Sequence, residues 1–157
     1  MRRPAGRRIE IDHPKLAGYD EDFALWSAEQ GALIRAARFD RVDRENVADE
    51  IESLARAEQR HLEKFLGILL VNLLTWEKQP GERSRNWQSA ISSWRHAALD
   101  VPESSPSLLS YPPQVLVYGQ ARTKASEETT VFLHLFPETC PYTIEQILDP
   151  DFLPGAL

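Results

Sequence analysis

Apolar residues return about every 3.6 positions through most of the chain, the spacing of amphipathic helices rather than of strands. After Tyr19, the residues Phe23, Trp26, Leu33, Ile34 and Ala37 follow this spacing to about Arg38. Asp20 is the expected N-cap, and Glu21 and Asp22 put negative charge at the positive end of the helix. Gln30, one turn after Trp26, is the polar residue in that stripe.

A longer helix is expected to open at Asp40 and Asp43. Val47, Ile51, Leu54, Leu62, Phe65, Leu69, Leu73 and Trp76 fall in one stripe, with Glu45, Asp49, Glu52, Arg56, Arg60 and Lys64 opposite. Between Asp43 and Glu77 there is no proline, and only Gly67 interrupts. At about 1.5 Å per residue this predicts a rod of roughly 50 Å. From Phe65 to Leu74 nearly every face is apolar. That half is expected either to lie at the centre of the bundle or to be covered by another subunit.

Gln79-Pro80-Gly81 ends the spine. Ser84 caps a third helix carrying Trp87, Ile91, Trp94 and Ala98, and Pro102 and Pro106 are expected to break it. Ser105-Pro106 opens a short turn to Leu109, and Pro113 opens a fourth helix to about Glu128. Val131 to Phe136 alternates like a strand. With no second strand to pair with, it is read as helix end and loop. Thr143-x-x-Gln146 is a capping box for a last helix from Ile144 to Leu148. The prediction is all-α: a helical bundle with one long central helix and a proline-punctuated C-terminal tail. A single domain over residues 19–157 is expected behind a flexible basic arm, residues 1–18.

Composition narrows the class without naming a reaction. With 157 residues, 42% hydrophobic and 27% charged, the chain has an ordinary globular make-up. Its apolar run from Phe65 is about ten residues, short of the roughly 18 that a membrane span needs. The one cysteine, Cys140, admits no internal disulfide, and a cytoplasmic location is expected. In the leader, Arg2, Arg3, Arg7, Arg8 and Lys15 stand against Glu10 and Asp12. It is therefore net +3 and the remainder −9, within a total of −6. An acidic body disfavours adhesion to nucleic acid or anionic lipid.

Several segments resemble a bacterial family known as a domain of unknown function, number twenty-nine. They are Tyr19-Asp20-x-Asp22-Phe23-x-x-Trp26, Glu45-Asn46-Val47, Glu50-Ile51-Glu52-Ser53-Leu54, Leu73-Leu74-x-Trp76, Ser84-Arg85-x-Trp87 and Ser105-Pro106-Ser107-Leu108, with the tail from Phe136 to Asp149. The resemblance runs from about Tyr19 to Pro154. It implies a compact helical fold and supplies no activity. Asn72 stands where such proteins often carry histidine, and Pro112-Pro113 replaces a continuous polar helix.

Four clusters are candidates for chemistry. Glu58 and His61 share one face of the long helix and could bind a divalent metal, with Gln30 as a supporting group. Only one Glu-x-x-His occurs, so the full di-metal set is absent, and a partly buried carboxylate satisfied by an arginine or by Gln30 is favoured. Glu45, Asp49 and Glu52 form an acidic row that reads as a solvated face. Lys78, Arg83, Arg85 and Arg95 lie beside Trp76, Trp87 and Trp94, where structural pairing is favoured over phosphate or base binding. Cys140 lacks any nucleophile signature. The leading expectation is an interaction or scaffold protein, a homodimer or the binder of a protein partner, using Phe65, Leu66, Leu69, Leu70 and Leu73. A metal-binding protein or metal-dependent enzyme using Glu58 and His61 is the alternative.

Overall fold

A computed structural model of the chain describes residues 15–155. Among them there are five α-helices, three short 3₁₀ turns and no strand. The helices are α1 (Phe23–Arg35), α2 (Arg44–Lys78), α3 (Arg85–Ser104), α4 (Pro113–Thr129) and α5 (Ile144–Leu148). The all-α expectation is met. Residues 1–14 of the basic leader lie outside the described residues. The chain divides within α2 into two compact units, one running to Ser53 and the other starting at Leu54.

In the N-terminal unit, α1 starts later than the charge pattern suggested. Asp22, not Asp20, is the N-cap, and its Oδ1 accepts the Leu25 N–H at 3.0 Å. Three acidic residues in a row all suit the positive end of a helix, but the one in extended backbone makes the cap. The helix stops at Arg35 because Ala37 turns left-handed, with φ 54. The Arg38 N–H then reaches Leu33 O at 2.9 Å and the Ala37 N–H reaches Ile34 O at 3.0 Å. This is the Schellman arrangement, with alanine where glycine is usual.

The C-terminal unit contains the core. Leu62, Leu66, Leu69, Leu70, Leu73 and Leu74 of α2 pack with Ile91, Ala98, Tyr118, Ala121, Ala125, Phe136 and Ile147. α3 begins at the Ser84 cap as expected, but it passes through Pro102 instead of breaking there. Proline removes one N–H two residues before the last residue of the helix, and Ser105 N–H still bonds Val101 O at 2.7 Å. The Thr143–Gln146 capping box forms as predicted.

Two buried or half-buried arginines fasten the tail. Arg95 donates from Nε to Ile147 O at 2.9 Å, from Nη1 to Pro150 O at 3.2 Å, and from Nη2 to Phe152 O. Arg83 lies over the Trp76 ring at 5.2 Å and donates to Trp76 O, Pro154 O and Gly155 O. Tail carbonyls that no helix can satisfy thus find charged donors.

Candidate interaction surface

The five residues expected at an interface lie mainly inside the chain's own core. Leu66, Leu69, Leu70 and Leu73 are fully buried. Phe65 is half-buried, with its ring 5.8 Å from Trp94 and 4.6 Å from His61. The all-round apolar segment is explained by helices and turns of the C-terminal unit packed around it, without a second subunit.

Glu58 accepts a hydrogen bond from the Ser105 hydroxyl. Ser105 therefore serves α2 instead of capping the turn that follows it. His61 is exposed. Among the described residues no three histidine, cysteine, aspartate or glutamate side chains gather as metal ligands would. Glu45, Asp49 and Glu52 are exposed along α2. Of the cationic cluster, Arg83 and Arg95 are committed to the tail carbonyls, which is the structural role favoured for them.

Cys140 is half-buried, donates to Tyr142 O at 3.4 Å, and burial pushes its thiol pKa up. A thiol held protonated is a poor nucleophile. Its neighbours are phenols in the same condition. Burial pushes Tyr118 up to about 12 while it donates to Pro137 O at 2.7 Å. Tyr142 is pushed up by burial and by its 2.5 Å hydrogen bond to Glu77.

An open cavity of about 290 Å³ lies between α2 and α4. Gly67, Ile68, Val71, Val117 and Ala121 form its apolar part, and Glu63, Lys64, Lys124 and Glu128 its charged part. A Cβ at Gly67 would touch nothing within 4 Å, so packing within the chain does not require the glycine.

The strongest departure from ordinary burial is in the N-terminal unit. Gln30 and Trp26 of α1 turn inward, and both hold Asp43. The Asp43 N–H donates to Gln30 Oε1 at 2.8 Å, and the indole N–H donates to Asp43 Oδ2 at 3.2 Å. Asn46 adds a 2.7 Å bond to the same carboxylate, and these donors hold the Asp43 pKa below the usual carboxylate value. Tyr19 donates to Glu50 further along α2. Because Tyr19 meets residue 50 while Trp26 meets residue 43, the two helices run antiparallel.

This hairpin is held by polar anchors with one buried apolar side chain, Trp26, among its described residues. Phe23 is 52% exposed, Leu25 49%, Ile34 42%, Phe39 55% and Ile51 63%. Helical spacing placed Phe23, Ile34 and Ile51 in stripes, but periodicity cannot say whether anything covers a stripe. Single exposed apolar residues are normal; here five large ones stand around one hairpin.

Comparison with known proteins gives one match. A family model described as Domain of unknown function DUF29 matches residues 18–153. No curated protein and no solved structure matches the chain.

Proposed function

Starting from the fact that the chain belongs to the DUF29 family, whose name assigns no activity, we propose that it is a protein–protein interaction module. The C-terminal unit is its stable scaffold, and the N-terminal hairpin is its docking element. The observation that carries this is the exposure of Phe23, Leu25, Ile34, Phe39 and Ile51 around a hairpin whose one buried apolar side chain, among the described residues, is Trp26. Covering apolar area contributes about 25 cal/mol per Å², so a partner that sealed this surface would gain from every side chain it covered. The polar anchors at Asp43 and Glu50 hold the helices in place beforehand. That reduces the ordering cost of association.

The test is a photo-reactive phenylalanine analogue placed at residue 23 or 51 of the full chain, with the exposed residue 88 of α3 as control. Illumination is expected to give adducts with protein, a second copy included, from positions 23 and 51 and not from 88. No adduct from either hairpin position, in purified protein or in extract of the source cells, would overturn the proposal.

A further inference from the structure

We infer that the partner of this hairpin is a second copy of the same chain, with the two α1 helices packed antiparallel across a two-fold axis. This deepens the interaction reading and rests on it. Residues 23, 27 and 34 share one face of α1, because separations of four and seven residues return to nearly the same side of a helix. Along that face Phe23 and Ile34 are large and exposed, and Ser27 between them is small. Gly31 adjoins the middle of the row. A Cβ there would meet only the tip of the flexible Arg35 side chain, at 3.4 Å. Nothing rigid in the hairpin therefore demands a glycine in mid-helix, where it weakens the helix. A second helix crossing closely over Ser27 and Gly31 would use the missing side chain.

The face is self-complementary in size and charge when one copy is reversed on the other. Turned about the point between Ala28 and Glu29, Phe23 of each copy comes opposite Ile34 of the other. Asp22 comes opposite Arg35. Asp20, Glu21 and Asp22 stand just before α1, while Arg35 is its last residue and the turn after it carries Arg38, paired with Asp40, and Arg41. Antiparallel pairing sets each acidic end beside the second copy's basic end; parallel pairing would set like charges together. The α1 dipoles favour the same arrangement. An isologous contact of this kind closes on itself as a dimer instead of growing into a chain. α2 adds Ile51, about a quarter-turn from the Asp43, Val47 and Glu50 row that faces α1.

The experiment is sedimentation equilibrium of the full chain and three charge variants, with helicity checked by circular dichroism. The first carries Asp20→Lys with Glu21→Lys, the second Arg35→Glu with Arg38→Glu, and the third all four changes. The expected result is a wild-type dimer whose dissociation constant rises at least about tenfold in each two-site variant and returns toward wild type in the fourfold variant. A variant that loses helicity is replaced by cysteine pairing in a Cys140→Ser background. There Phe23→Cys and Ile34→Cys chains should cross-link when mixed and neither when alone.

A monomer at every concentration overturns the inference, as does cross-linking of Phe23→Cys with itself. If hairpin adducts form with another protein, or if association depends on Phe23 and Ile51 but ignores the charge changes, the interaction reading stands and the antiparallel self-pairing falls.

Discussion

Replacing Arg95 by methionine isolates the contribution of one side chain to the fold. Arg95 is 3% exposed and spends its donors on the carbonyls of Ile147, Pro150 and Phe152, which are 52, 55 and 57 residues away in sequence. Methionine fills a similar volume without donating. A hydrogen bond from a charged donor contributes about 1.5–3 kcal/mol, but the Pro150 and Phe152 contacts are partly open, where water can replace the lost donor. The Ile147 carbonyl is buried and would be left unpaired. The expected loss is therefore about 3–5 kcal/mol, a large share of the roughly 5–15 kcal/mol that holds a typical domain folded. Urea unfolding followed by far-ultraviolet circular dichroism should show the midpoint falling with little change in slope. Native-state hydrogen exchange should show residues 147–155 losing protection first. A destabilisation below about 1 kcal/mol would refute the argument that these three bonds fasten the tail.

Smaller perturbations check other parts of the account. Ala37→Gly relieves a left-handed alanine at the end of α1 and should stabilise the protein by about 1 kcal/mol in thermal unfolding. Gly67→Ala adds a methyl group where nothing lies within 4 Å and should raise stability by about 0.5–1 kcal/mol, since alanine is the better helix former. In acid, the depressed Asp43 pKa means its contribution is present above the ordinary carboxylate value and is lost as pH falls through the folded value. The protection factors of α1 amides, with the intrinsic exchange rate at each pH divided out, should fall across that window in wild type, and the change should flatten in Asp43→Asn. In alkali the sign reverses. Tyr118, raised to about 12, stabilises below the ordinary phenol pKa of about 10 and loses that contribution as pH rises through its own. Tyr118→Phe should shrink the late part of the phenolate absorbance titration.

Local signals were legible where the physics is local. The Ser84 cap, the Thr143–Gln146 capping box and the long proline-free α2 all rest on residues within a turn of one another. Asp22 was missed because Asp20 and Glu21 suit the same helix end, and only the backbone conformation separates them. Pro102 misled because a proline close to a helix end removes a single bond. The burial of Leu66, Leu69, Leu70 and Leu73 is consistent with one half of what their pattern allowed, a central helix. Which half applies depends on elements more than twenty residues away, such as α4 and the turn at Phe136.

Glu58 was correctly seen as needing a partner, but Ser105 leaves no trace in the spacing around it. The same holds for Arg83 and Arg95, whose acceptors are backbone carbonyls and carry no residue signature. Exposure was the least legible property. Phe23, Ile34 and Ile51 have the spacing of core residues, and only the structure shows them uncovered.

On the proposed reading, the uncovered hairpin face joins chains together. The sedimentation of the full chain is to be compared with that of a Phe23→Ser, Ile34→Ser variant over one concentration series. Both residues are exposed, so the variant should keep its helicity. A wild-type mass that rises to that of a dimer, beside a variant that stays monomeric, is the predicted result. Identical masses for the two chains at every concentration would contradict it.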